Sequence, residues 1–492
     1  MRHLGGNHYW LVFGIGTLAL ATLFAFRLAG PDKRIFVPAE TSDGHHQIEL
    51  ACAACHSTTF PGKESFQAAC EGCHLEALDR ARDSHPKAKF TDPRNADRIA
   101  VLDARYCTTC HVEHRPAATR AMGVTLPDDF CVLCHAEIAD ERPTHAGLDF
   151  ATCGSAGCHN YHDNRALYED FLLKHGNEPA LLATRSVPQR NFASILRYLE
   201  AYPKERFPPQ PLTAADADAP ATGEGAGRTA GPALVADWAA TAHAASGVNC
   251  SACHEDDSGR WVEHPGYTSC ATCHAGEQAA FVLGRHGMRL DVQALGIELP
   301  PLRPEDARLP MKDPPIAEHV DCGSCHAPHR FDTKLAAVDA CLGCHDDEHS
   351  RAYVDSPHAL IPDGESSGDG SGHGGSGDRD GRVTCATCHM PRIEQSYDWG
   401  AYVHVLVQHN QSDNLRPNEK MARDVCMTCH GLELTLSALA DPALIRANFR
   451  GAPQATVRSF ELAEQRRRDA EREREHRPAE PADPVLPPNQ SP

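Results

Sequence analysis

Twenty-two cysteines fall into eleven pairs, and a histidine directly follows the second member of each pair. In chain order, motif 1 is Cys52, Cys55 and His56, motif 2 is Cys70, Cys73 and His74, and motif 3 is Cys107, Cys110 and His111. Motif 4 is Cys131, Cys134 and His135, and motif 5 is Cys153, Cys158 and His159. Motif 6 is Cys250, Cys253 and His254, motif 7 is Cys270, Cys273 and His274, and motif 8 is Cys322, Cys325 and His326. Motif 9 is Cys341, Cys344 and His345, motif 10 is Cys385, Cys388 and His389, and motif 11 is Cys426, Cys429 and His430. Ten read C-x-x-C-H and the fifth reads C-x-x-x-x-C-H. C-x-x-C-H is the attachment sequence for c-type haem. The two thiols form thioethers with the porphyrin vinyl groups, and the histidine reaches the iron from the proximal side. The spacing suits one turn of helix against the ring edge. Zinc knuckles, disulfides and thioredoxin-like pairs need no histidine at that fixed step. No cysteine is left over, so eleven covalent haem c groups are expected.

Haem iron needs a sixth ligand, and its identity sets the potential. Of seven methionines, Met1 is terminal, Met390 directly follows motif 10 and Met427 lies inside motif 11. Met122, Met288, Met311 and Met421 are too few for eleven irons. Of 31 histidines, 20 remain once the proximal ones are removed. His114, His162 and His329 each fall three residues after a proximal histidine, too close to reach the far face of their own haem but able to ligate a neighbouring one. His46 and His264 each precede a motif by six residues, and His243 precedes Cys250 by seven. Adjacent His45 and His46 are read as giving one ligand between them. His85, His145, His175, His286, His319, His349, His358, His404 and His409 complete the candidates. His3, His8, His373 and His476 are set aside. A lone histidine is more often a surface or hydrogen-bonding residue, but here sixteen candidates face eleven irons, and several pairings are compatible with the spacing.

These ligands must be positioned by a chain poor in ordinary core. Aromatic residues make up only 6% of the 492. Five motifs lie within Cys52–His159 and six within Cys250–His430, so the haems themselves supply the apolar mass. The expected fold is mostly α and irregular: short helices and loops wrapped around a stack of covalent haems, little β-sheet, and one N-terminal transmembrane helix. Residues 1–30 read as a membrane anchor or signal peptide, and 31–205 as a five-haem module whose following helix covers 164–202. Residues 206–235 are a Pro/Ala/Gly linker. Residues 236–450 are a six-haem module with a Gly/Ser/Asp loop at 363–382. Residues 451–492 combine a charged helix, Val457–Arg477, supported by i,i+4 pairs, with a Pro-rich tail.

Trp10–Phe26 is an uncharged run of 17 residues, at the lower limit for a spanning helix. A signal peptide is the alternative, with Ala19-Leu20-Ala21 as a cleavage site inside the run. Basic residues flank both sides and leave orientation open. Haem c is attached to exported chains, so the bulk is expected on the periplasmic side of the inner membrane. A net charge of -20 argues against nucleic acid as a partner. It suits a basic redox protein.

The chain resembles multihaem c-type cytochromes. Its first module, with closely spaced motifs, one expanded motif and intervening histidines, resembles the cytochrome c3 family. Its second module resembles the group containing pentahaem nitrite reductase, octahaem enzymes and hydroxylamine oxidoreductase, on AHAASGVNCSACH, EHSRAYVDSPHA at 348–359 and VTCATCHMPR at 383–392. The resemblance implies a haem scaffold and electron transfer. It does not carry over catalytic residues: no C-x-x-C-K motif occurs, and no signature of a tyrosine cross-link is present.

The expected function is a membrane-anchored relay passing electrons along bis-histidine haems between a quinol pool or low-potential donor and a redox protein. It is expected not to be an enzyme. One alternative is a reductase or oxidase of a small nitrogen or sulfur compound with one open haem, placed in 384–410 among His389, Arg392, Tyr397, Tyr402, His404 and His409. Another is a subunit of an extracellular haem filament, and oligomer formation is left open.

Overall fold

A computed structural model of the chain describes residues 6–58, 60–115, 123–150, 153, 161–162, 169–188, 210–220, 230–301, 307–312, 320–330, 335–360, 383–397, 402–415 and 420–476. The uncharged run near the start forms α1 (Gly6–Ala29). At 1.5 Å per residue it is about 36 Å long, enough for a hydrocarbon core of about 30 Å. Among the described residues it is the one helix long and apolar enough to cross a membrane, and its apolar window is not buried against the rest of the protein.

Most motifs form a single helical turn. The histidine N–H donates to the carbonyl of the first cysteine, four residues back, at 2.7 Å in motif 1, 2.9 Å in motif 8 and 2.8 Å in motif 11. This i to i+4 closure puts both thiols and the imidazole on one side of the turn. Capping starts several turns. Asp321 accepts from Ser324 N ahead of motif 8, and Thr384 forms a capping box with Thr387 ahead of motif 10. Longer helices include α2 (Lys63–Ala81, carrying motif 2), α3 (Glu169–His175), α4 (Met288–Ala294), α5 (Leu432–Leu439) and α6 (Arg458–His476). One antiparallel hairpin, β1 (Arg392–Tyr397) and β2 (Tyr402–Val407), pairs Arg392 with Val407 and Tyr397 with Tyr402. The mostly helical and irregular architecture expected from the motifs is what forms.

Buried apolar side chains gather in two small clusters. Leu172 of α3 packs with Ala422, Leu432, Leu436 and Leu439, and Ala51, just before motif 1, packs with Val292 and Leu299. Both clusters join the first haem-rich stretch to the second. Polar contacts do the same: Arg308 pairs with Asp43 at 2.8 Å and Glu49 at 3.1 Å, and Arg80 with Asp413 at 3.0 Å.

Two segments depart from the sequence reading. The helix expected over 164–202 is described only as α3; residues 176–188 are not helical. Gly176 follows the last helical residue and Pro179 comes three later, a stop signal of the usual kind. The irregular segment that follows lies along motif 11, with Leu182 N donating to Cys429 O and Ser186 N to Thr428 O, both 2.9 Å. Part of the 206–235 linker is also ordered. Thr213 and Asp216 form a capping box, and Asp218 accepts from Ser251 N at 3.0 Å inside motif 6. The charged helix α6 contacts the first stretch: Arg466 donates to the carbonyls of Thr144 and Ala146. The 363–382 loop with His373, residues 206–209 and 221–229 of the linker, and the Pro-rich tail lie outside the described residues.

Candidate functional site

Nine histidine couples dominate the interior. Ring centres stand 5.9 Å apart for His45 and His74, 6.0 Å for His85 and His135, and 6.3 Å for His111 and His162. The values are 6.2 Å for His243 and His274, 5.6 Å for His254 and His329, and 6.1 Å for His286 and His345. They are 6.3 Å for His326 and His409, 6.0 Å for His349 and His389, and 6.1 Å for His358 and His430. Every couple joins one motif histidine to one histidine outside the motifs, and none is used twice.

This spacing tests whether the residues fit a haem. Metal–imidazole bonds of about 2.0–2.1 Å place two ligands on opposite sides of one ion with nitrogens about 4 Å and ring centres about 6 Å apart. In the couple of His254 and His329 the two Nε2 atoms face each other at 3.4 Å. The outer nitrogen is tied back elsewhere. Nδ1 of His85 meets Tyr161 O at 2.7 Å, that of His254 meets Val262 O at 2.8 Å, that of His409 meets Val407 O at 2.8 Å, and that of His430 meets Ala180 O at 2.9 Å. His45 Nδ1 lies 2.8 Å from Glu113 and His162 Nδ1 lies 3.3 Å from Asp83. A bonded Nδ1–H fixes the tautomer that leaves Nε2 as the ligating atom. Two ligands are too few for a bare ion, and among the described residues no group of three or more His, Cys, Asp or Glu gathers to hold one. A porphyrin supplies the four equatorial nitrogens that the couples lack. The residues fit haem.

Electrostatics agree. Burial, reinforced by the facing imidazole, pushes His286, His326 and His389 down to about 4. They stay neutral, the form that binds metal. Burial raises Glu113, but bonds from His45 and from Ser42 N and Oγ outweigh it and draw the carboxyl down to about 2.

Neighbouring motifs abut. The thiols of Cys70 and Cys107, Cys131 and Cys153, Cys270 and Cys322, and Cys341 and Cys385 reach one another. Motif 2 therefore lies against 3, 4 against 5, 7 against 8 and 9 against 10. Tyr161 lies by motifs 3 and 4, stacked 4.0 Å from His85, and burial raises its phenol. Trp261 stacks 4.8 Å from His254.

The sequence candidates divide accordingly. His162 and His329 face histidines of other motifs, as their closeness to their own requires. In the adjacent pair, His45 rather than His46 stands opposite His74, because Glu113 captures its Nδ1; His46 buries its own Nδ1. His114 bonds Ala39 O at 2.8 Å, His175 bonds Glu178 at 2.5 Å, and His264 is exposed. None of these three faces a motif histidine among the described residues. His145 Nδ1 meets Thr144 Oγ1 at 3.0 Å. Cys158, His159, His319 and the His404 side chain lie outside the described residues. Sequence reading missed Glu113, Asp83, Tyr161 and Trp261. Only Glu113 carries a local hint, as the residue between the two histidines of CHVEH.

Gly431 adjoins His430 beneath the 178–180 segment. A Cβ there would lie 2.5 Å from Pro179 O and 2.9 Å from Glu178 Cβ. Gly431→Ala should displace the Ala180 carbonyl that holds His430, at a cost of about 1–3 kcal/mol. The expected result is a lower thermal midpoint and a high-spin fraction in the ferric absorption spectrum; an unchanged midpoint would count against this packing.

Residues 44–136 match the family model for cytochrome c3. That stretch is similar to a multihaem cytochrome. It contains motifs 1 to 4 of this chain, together with His45, His46, His85 and His114. No curated protein and no solved structure matches the chain. For residues 44–136 the match supports covalent haem c and electron transfer.

Proposed function

We propose that this chain is an eleven-haem relay on the periplasmic side of the inner membrane, anchored by α1. It passes electrons along bis-histidine haems between a quinol pool or low-potential donor and a redox partner protein. The observation that carries this reading is the set of nine facing couples. In each, the motif cysteines would hold the porphyrin edge and the two imidazoles the iron. The haems supply a one-electron Fe(III)/Fe(II) couple when bound. The protein supplies neutral Nε2 ligands, bonds at Nδ1 that orient them, and thiol-to-thiol contacts that bring successive attachment sites together.

The rival reading, a reductase with an open haem, had its best place in 384–410. There His389 and His409 stand in couples with His349 and His326, which favours the relay. The position left for a rival is motif 1, where His56 meets Phe66 edge-on at 5.2 Å and no histidine faces it among the described residues.

One experiment tests both haem content and ligation. Intact mass after acid–acetone extraction should retain eleven haem increments. Ferric EPR should then sort the haems by imidazole angle. The planes are near parallel for His254 with His329 (14°) and His111 with His162 (23°). They are crossed for His85 with His135 (81°) and His349 with His389 (85°). Parallel planes split the iron dπ orbitals strongly and give rhombic low-spin signals; crossed planes leave them nearly degenerate and give one large-g feature. Both types should be present. A strong high-spin signal in the native protein, with rapid turnover of nitrite or hydroxylamine, would replace the relay by the reductase.

A further inference from the structure

The partners of the outer histidine nitrogens are unevenly distributed. At motif 2, the facing histidine, His45, is bonded to the Glu113 carboxylate at 2.8 Å, and Glu113 is itself held by Ser42 N at 2.5 Å and Ser42 Oγ at 2.7 Å. At motif 3, the facing histidine, His162, lies 3.3 Å from Asp83, which also accepts from His85 N at 2.9 Å. These two motifs abut through Cys70 and Cys107. In the second haem-rich stretch the outer nitrogens meet neutral carbonyls instead: Val262 for His254, Ile445 for His349, Val407 for His409 and Ala180 for His430. The carboxylates nearest to ligand histidines there, Glu277 by His274 and Asp347 by His345, stand at 3.9 Å, beyond hydrogen-bond reach.

We infer that Glu113 and Asp83 make the adjoining haems of motifs 2 and 3 the low-potential end of the molecule, so that electrons run from the N-terminal haem-rich stretch towards the C-terminal one. The inference rests on the relay reading above and gives it a direction. A carboxylate on Nδ1–H makes the imidazole a stronger donor, and its negative charge lies close to the metal. Both effects favour Fe(III) over Fe(II). A carbonyl orients the ring without adding a full charge. One electron leaving Fe(II) beside Glu113 or Asp83 reduces one Fe(III) in the second stretch; the first iron is oxidised, the second is reduced, and the Nδ1 protons stay in place. The donor that fits is a reductant of low potential delivering electrons to the N-terminal stretch. Glu113 and Asp83 act through histidines and are positioning residues.

The test is a spectroelectrochemical titration of the full-length holoprotein in detergent, comparing Glu113→Gln, Asp83→Asn and Glu277→Gln. Glu113→Gln and Asp83→Asn should each move one one-electron step at the low-potential end upward. The expected size is about tenfold in the Fe(III)/Fe(II) ratio at fixed potential, or about 59 mV for one electron. Glu113→Asp should restore most of the first shift, and Glu277→Gln, which removes a nearby charge but no hydrogen bond, should move the curve by less than either. Ser42→Ala, which keeps the carboxylate but loosens it, covers the case in which Glu113→Gln fails to mature. The direction is overturned if the low-potential end stays put while haem count and low-spin spectra are intact, or if the shift appears at the high-potential end. Either result leaves the relay standing. A native protein that is largely high-spin would instead bring down the relay reading itself.

Discussion

Replacing His329 with alanine is expected to convert one haem in eleven from low-spin to high-spin. His329 faces His254 with 5.6 Å between ring centres and 3.4 Å between Nε2 atoms. It lies three residues beyond the proximal histidine of motif 8 yet serves motif 6, so the lesion should appear at a haem distant in sequence. Alanine removes the ligand and leaves no side chain able to reach the iron. Because the couple is the most nearly parallel at 14°, the variant should also lose a rhombic signal while the crossed-plane features persist. Ferric EPR with spin quantitation reads both changes. His264→Ala is the comparator: its ring is exposed and faces no motif histidine among the described residues, so its spectrum should match the parent. If His329→Ala leaves all iron low-spin with its rhombic signal intact, the couples do not mark ligation.

The chain without haem is expected not to fold beyond α1 and fragments of the charged helix α6. Eighteen apolar side chains are buried among the described residues, and six of them are only alanine or valine: Ala51, Ala244, Val292, Val405, Ala422 and Val425. Apart from motif 2, which lies within α2, the described motif turns are only three to five residues long, far below the length at which an isolated helix holds in water. Large exposed hydrophobics such as Leu75, Leu133 and Val354 adjoin motifs or ligand segments, where a porphyrin face gives such residues an apolar surface to cover. Circular dichroism and limited proteolysis of the chain expressed without haem attachment should show little ordered helix and rapid cleavage throughout 45–450. The holoprotein should resist. A cooperative thermal transition in the haem-free chain would show that side chains alone suffice and would refute this dependence.

Much of the site was legible in the sequence because attachment chemistry is local. Two thiols and an imidazole must share one helical turn, and that constraint is written in five contiguous residues, or seven in motif 5. The abundance of histidine over methionine likewise pointed to bis-histidine ligation without any knowledge of the fold. The transmembrane candidate was visible as an uncharged run, since helix length against bilayer thickness is a property of a single segment. The irregular 176–188 segment was not legible in the same way. Its residues carry a helical pattern up to His175, but Gly176 and Pro179 stop the helix, and the backbone then finds partners in motif 11, more than 240 residues away.

Composition and spacing by themselves determined the attachment motifs, the proximal histidines, the shortage of conventional core and the apolar N-terminal helix, because each depends on residues adjacent in the chain. Tertiary structure alone decided which histidine stands opposite which motif, that His45 rather than His46 meets His74, and that Glu113 and Asp83 back two ligands while carbonyls back others. A facing ligand can come from any segment that reaches the gap: His358 meets His430 from 72 positions away, and His45 is held by Glu113 from 68. Spacing in sequence cannot rank such partners; the packing that aims each Nε2 and ties back each Nδ1 does.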